Sequence, residues 1–216
     1  MTNTNGDTNG DTNTNPLHML LIAAARAGDA AECSRLMAIG ADPKARSSAA
    51  LHLAAGRGHA DCLRLLIPVS VPKSNDSEAL YLAAANGQAE SVRLLIPASE
   101  PKDRRSRALL VSAQRGHAEC AKLLLPASES LAQNCLPLQA AIRRGHAAIL
   151  SAMLDHEPSS LETLKKMGLS TLLSHAISLG HMDVAARLSS IIDRQAIAST
   201  LLDLEPPSCG SLRARL

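Results

Sequence analysis

The chain of 216 residues contains no phenylalanine, no tryptophan and a single tyrosine, Tyr81. A core built around aromatic anchors is thereby excluded, and leucine, isoleucine, valine and alanine must fill the interior at close packing. Affinity from stacking unpaired nucleotide bases is excluded for the same reason, because it needs a set of exposed rings. A strong charge of one sign is also missing. The 22 Lys and Arg against 20 Asp and Glu leave a net +2, which is low for a protein held to phosphates by cation contacts. Nucleic acid is not the expected partner. No apolar run approaches the roughly 18 residues that cross a bilayer, so a soluble chain without a membrane anchor is expected.

Cysteine is scarce, odd in number at five, and lacks the paired spacing of a zinc site. No Ser/His/Asp set, phosphate-cradling glycine loop or pair of carboxylates recurs as catalysis would require. The reading is therefore non-enzymatic, with no cofactor and no metal.

What the chain does have is a period. Gly58-His59, Gly87-Gln88, Gly116-His117 and Gly145-His146 place their glycines 29 residues apart (87−58, 116−87, 145−116). Ala-Leu-His-Leu-Ala-Ala at 50 to 55 returns as Ala-Leu-Tyr-Leu-Ala-Ala at 79 to 84 and as Ala-Leu-Leu-Val-Ser-Ala at 108 to 113. Arg64-Leu65-Leu66-Ile67-Pro68 is echoed at Arg93 to Pro97 and at Lys122 to Pro126. A period of this length marks stacked supersecondary units that bury an apolar face only against their neighbours.

Each unit reads as two short helices. The first, Ala79 to Asn86, ends at Gly87, where a left-handed exit costs glycine nothing. The second, Ala89 to Ile96, carries apolar residues at helical spacing and stops at Pro97.

The run Leu51-His52-Leu53-Ala54-Ala55-Gly56-Arg57-Gly58-His59, with Leu-Leu-Ile after it, resembles the ankyrin repeat, a β-turn and two helices in about 33 residues. Leu21 to Asp29, followed by Gly40-Ala41-Asp42, is similar, and so is Leu173 to His181 after a wider spacing of 35 (180−145). The resemblance spans about six units from Leu17 to Leu204. It implies an all-α, ankyrin-like helix-turn-helix solenoid. The roughly four residues missing from each unit (33−29) come out of the connection that usually forms a β-hairpin finger, so a plain loop is expected there. The usual Thr-Pro-Leu-His opening is degraded to Ala50-Leu51-His52, Ala79-Leu80-Tyr81, Ala108-Leu109-Leu110 and Pro137-Leu138-Gln139, and weaker hydrogen bonding between units is expected at that corner. The connection through Pro158 to Gly168 reads equally as a longer first helix, an extra turn or a joint.

The expected division is a disordered Thr/Asn/Gly-rich tail at 1–15, a repeat domain at 16–205 and a second tail at 206–216. Cys33, Cys62 and Cys120 share one place early in the second helix, where Ile149 and Val184 stand in other units. Aliphatic replacement marks them as buried packing residues in a reducing compartment. His59, His117, His146 and His181 start second helices at equivalent places. A column of side chains one helix spacing apart cannot gather on one metal ion; the histidines are expected to hydrogen-bond across the turn.

The resemblance implies that a partner is held by the concave face of first helices. The two positions before each turn glycine are Arg26-Ala27, Gly56-Arg57, Ala85-Asn86, Gln114-Arg115, Arg143-Arg144 and Ser178-Leu179. The helix dipole alone favours cations in a last turn by about 0.3–1 kcal/mol; arginine is also enriched at interface hot spots. Arg26, Arg57, Asn86, Arg104, Arg105, Arg115, Arg143 and Arg144 are the candidate partner-binding residues. The expected partner is a protein with an acidic surface or segment, bound by a cytoplasmic monomer acting as a scaffold. The alternative is an effector secreted into a host cell that captures a host protein through the same surface, since the short repeats resemble those of host-associated bacteria.

Overall fold

The computed structural model describes residues 15–128, 135–158 and 160–203; the expected tails at 1–15 and 206–216 lie outside them, apart from Asn15. Among the described residues there are thirteen α-helices and no strand. Six helix pairs follow one another. They are α1 (Pro16–Ala27) with α2 (Ala30–Ala38), α3 (Ala45–Arg57) with α4 (Ala60–Leu66), and α5 (Ser74–Ala85) with α6 (Ala89–Leu95). Then come α7 (Asp103–Arg115) with α8 (Ala118–Leu124), α9 (Leu136–Arg144) with α10 (Ala147–His156), and α12 (Leu169–Ser178) with α13 (Met182–Asp203). The wide spacing before the last pair is an additional short helix, α11 (Ser160–Met167).

First helices pack on first helices and second helices on second helices, giving two layers. Leu51, Leu80, Leu109 and Leu138 are at most 1% exposed on the first layer, opposite Leu66, Leu95 and Leu124 on the second. Ala54, Ala55, Ala83 and Ala84 are buried beside them, and their small side chains let neighbouring helices approach closely. Each leucine contributes about 1.5–3 kcal/mol of burial, so the core runs along the stack without aromatics.

The helix ends follow local chemistry. Asn15 accepts a hydrogen bond from the Leu17 amide at 2.9 Å and Pro16 opens α1. Pro97 and Pro126 do not stop the chain abruptly. They sit in 3₁₀ turns, Ile96–Ala98 and Leu125–Ala127, that tighten the ends of α6 and α8. In α3, α5 and α7 the first helix begins earlier than the sequence suggests, at Ser74 instead of Ala79 in α5, because a left-handed turn precedes the regular stretch.

That turn supplies the corner between repeats. Ser48, Ser77 and Ser106 recur 29 residues apart (77−48, 106−77), are buried, and have φ of 64°, 58° and 58°. Ser48 Oγ accepts from the Val71 amide of the following connection at 3.0 Å, and Ser77 Oγ accepts from the Glu100 amide at 2.9 Å. Ser74 Oγ donates to the Ser47 carbonyl at 3.0 Å and accepts from His52 Nε2 at 3.1 Å. A non-glycine residue at positive φ costs on the order of 1–3 kcal/mol, which these bonds to otherwise unpaired amides offset. The corner is thus held more firmly than its degraded opening suggests, by serines three residues before the core leucine.

Cys33, Cys62 and Cys120 are free and buried. Burial pushes the Cys33 thiol up to about 12 and the Cys120 thiol up to about 11, and raises Cys62 as well, which leaves all three as inert packing groups. Ser91 takes the same place in the third pair, fully buried, and its hydroxyl finds no hydrogen-bond partner among the described residues.

Ser91→Cys should therefore stabilise the chain by about 1 kcal/mol, read as a higher urea midpoint; an unchanged or lower midpoint would show that the hydroxyl is satisfied. His52 gives a pH signature. Burial holds its imidazole below the ordinary histidine range, with Glu78 opposing. The unfolded chain then takes up the proton first, near pH 6.5, so stability is complete above that value and declines as pH falls toward the lower folded value. His52→Gln should make the urea midpoint fall less than the wild type's between pH 7 and 5. Equal falls would remove His52 from the acid response.

Candidate binding face

The end of each first helix leaves carbonyls with no partner inside the helix. The next repeat supplies one. His59 Nε2 donates to the Arg26 carbonyl at 3.1 Å, His117 Nε2 to Ala85 at 3.0 Å, His146 Nε2 to Gln114 at 3.4 Å and His181 Nε2 to Arg143 at 3.1 Å. A carbonyl can only accept, so each ring carries its hydrogen on Nε2. The bonds cross to the preceding repeat, where the sequence suggested a bond across the turn. Each ring also lies over the preceding turn glycine. Gly87 has φ 72°, and a Cβ there would stand 2.7 Å from His117 Nδ1. Conformation and packing therefore demand the same residue. Among the described residues, no group of three or more His, Cys, Asp or Glu could hold a metal ion.

The first repeat departs from this pattern for a physical reason. No described repeat precedes it, and Asp29 replaces histidine and caps its own helix, accepting from the Glu32 amide at 2.9 Å.

The candidate residues lie along the same edge. Arg26, Arg57, Asn86, Arg115, Arg143 and Arg144 are exposed at the C-terminal ends of successive first helices. Two of them are partly engaged: Asn86 Nδ2 donates to the Gly56 carbonyl at 2.9 Å, and Arg115 donates to the Ala85 carbonyl at 3.1 Å beside His117. These bonds, which the sequence reading missed, occupy the place immediately before the turn glycine. The only signal was that place's recurrence with polar residues. Arg104 and Arg105 stand at the opposite end of α7 from Arg115, and their side chains fall outside the described residues. Of the nearby cations, Lys73 is paired with Glu100, while Arg107 pairs with Glu78 at 3.1 Å and covers the Tyr81 ring at 3.6 Å from its centroid.

Charge differs between the layers. On α2, α4, α6 and α8 each cation is matched three residues earlier: Glu32 with Arg35 at 2.5 Å, Asp61 with Arg64 at 2.8 Å, Glu90 with Arg93 at 3.5 Å and Glu119 with Lys122 at 2.8 Å. On the first layer α1, α3, α9 and α12 contain no Asp or Glu. Among the described residues Arg26, Arg57, Arg115, Arg143 and Arg144 form no ion pair with a carboxylate. The second layer is locally neutral and this edge of the first is cationic.

Arg115→Ala should cost about 0.5–1 kcal/mol of stability by removing a half-buried bond between repeats. Arg57→Ala should stay within about 0.5 kcal/mol. Equal losses in urea unfolding would deny Arg115 its part in stacking.

A protein-family model described as ankyrin repeats (3 copies) matches residues 20–106 and again residues 109–196. No curated protein matches the chain significantly. The paired helices, glycine turns and the family match across most of its length agree: the chain belongs to the ankyrin repeat family.

Proposed function

We propose that the chain is a non-enzymatic scaffold that holds an acidic segment of a partner protein along the cationic edge of its first helices. The observation that carries this reading is the contrast between layers, with every second-helix cation named above matched by a carboxylate and the arginines before the turn glycines unmatched. An ankyrin array is a protein-interaction module, and a repeat fold offers its partner an extended surface. Such a row of cations suits an extended acidic chain better than a compact ligand. Nucleic acid fits less well, because the one aromatic ring, Tyr81, is already covered by Arg107 and stacking platforms are what unpaired bases need. The buried free thiols fit a reducing compartment such as the cytoplasm.

The test is a pull-down from cell lysate, with the wild type beside a variant carrying Arg57→Ala, Arg115→Ala, Arg143→Ala and Arg144→Ala. A partner with an acidic segment should be lost by the variant and weakened by added salt. A second variant that keeps Arg115 separates lost binding from lost stability, and circular-dichroism melts check the fold of both. Retention of the same partners by both variants would move the binding surface away from this edge.

A further inference from the structure

The stack is even until its last joint. Turn glycines are 29 residues apart from Gly58 to Gly145 and then 35 apart to Gly180 (145−116, 180−145). The added length is α11, packed on α10 and α12 and followed by Gly168 at φ 83°. With α11 inserted, α12 touches α9 over much less of its surface than α7 does. The place from which Asn86 and Arg115 donate to the preceding repeat's carbonyl is taken after α12 by Leu179, which has no side-chain donor and is 47% exposed; among the described residues Arg57 and Arg144 make no such bond either.

Between α9 and α12 this leaves a cleft of about 380 Å³ lined by Gln139, Arg143, Thr171, Leu172 and His175. Its volume is at the lower end of the range for ligand pockets, enough for side chains of an extended segment and too small for a docked helix. Leu172 is half-buried and offers an apolar wall, while Arg143 and Thr171 are exposed. Neither α9 nor α12 carries a carboxylate, and Arg143 has no ion-pair partner among the described residues. A cation beside an aliphatic wall is complementary to a carboxylate next to an aliphatic side chain.

We propose that this cleft is the anchoring pocket of the scaffold, taking one acidic side chain of the partner segment against Arg143 and the adjacent aliphatic side chain against Leu172. The inference rests on the acidic-segment reading above and adds a location and a two-residue chemistry to it.

The probe is a fluorescein-labelled decapeptide of alternating glutamate and leucine, titrated into the full chain beside a glutamine and leucine counterpart. Binding is followed by polarisation and by amide shifts in ¹⁵N spectra. The glutamate peptide should bind at least tenfold more tightly than its counterpart and shift the amides of Gln139, Thr171 and Leu172. Arg143→Glu and Thr171→Trp, the second filling the cleft, should each weaken it at least tenfold, with Lys122→Gln on the second layer, outside the proposed binding edge, changing it less than twofold. Both altered residues are exposed, and Arg143→Glu alone decides the matter if Thr171→Trp does not fold. Unchanged affinity in Arg143→Glu, or shifts confined to other repeats, would overturn the pocket while leaving the cationic edge intact. Absence of peptide binding, alongside a pull-down that still depends on Arg57 and Arg115, would overturn the pocket in the same way. Inorganic phosphate or free glutamate competing as well as the unlabelled peptide would make the cleft a small-anion site and overturn the peptide reading.

Discussion

The stack depends on one hydrogen bond repeated along its length, from the Nε2–H of a residue opening one second helix to the carbonyl two residues before the turn glycine of the repeat before it. It satisfies a carbonyl that the first helix cannot satisfy itself, and it places an imidazole flat against the preceding turn. Glycine follows from this at both levels, since a side chain would have to adopt a left-handed backbone and share space with the ring. Gln88 keeps the register where histidine is missing, its side chain standing 2.2 Å from where a Cβ on Gly58 would be. Asp29 and Gly180 mark the ends of this column. Asp29 turns to its own helix, and a Cβ on Gly180 would meet nothing within 4 Å among the described residues.

With so few aromatics, each repeat buries only a few leucines and a sheet of alanines, too little to stand alone. Stability then resides in the interfaces between neighbours, as it does in a one-dimensional array. The serine corner and the histidine column pin opposite ends of the first helices, which fixes the angle at which one repeat meets the next. Where both act the joint is closed. At the last joint the histidine bond survives, at 3.1 Å from His181 to Arg143, but the corner position on α9, three residues before Leu138, is Cys135 at φ −79° in place of a left-handed serine.

Much of this was legible in the sequence. The period, the glycine exits, the two helices per repeat and the burial of Cys33, Cys62 and Cys120 all follow from residue type and recurrence, because each is a local requirement with few chemical solutions. The serine corner was hidden for the opposite reason. Serine is common in loops, and nothing in its identity announces a left-handed backbone or a bond to an amide 23 residues away. The contacts of Asn86 and Arg115 were hidden too, since a polar residue at an exposed helix end reads equally as solvent-facing or as a bridge. The segment from Pro158 to Gly168 kept three readings open until the structure showed α11, because eight residues carry too little periodicity to separate a helix from a long turn.

The insertion of α11 also explains why an opening appears where it does. A cleft between two evenly spaced repeats would require breaking the histidine bond, the serine corner and the alanine packing together. Six extra residues (35−29) before the last first helix change the geometry without that loss, because the C-terminal end of α9 stays tied to His181 while α12 swings away from the rest of α9. The backbone carbonyl of Arg143 holds the joint and its guanidinium is left facing the space that the joint opens. One residue therefore fixes the stack through its main chain and presents charge through its side chain.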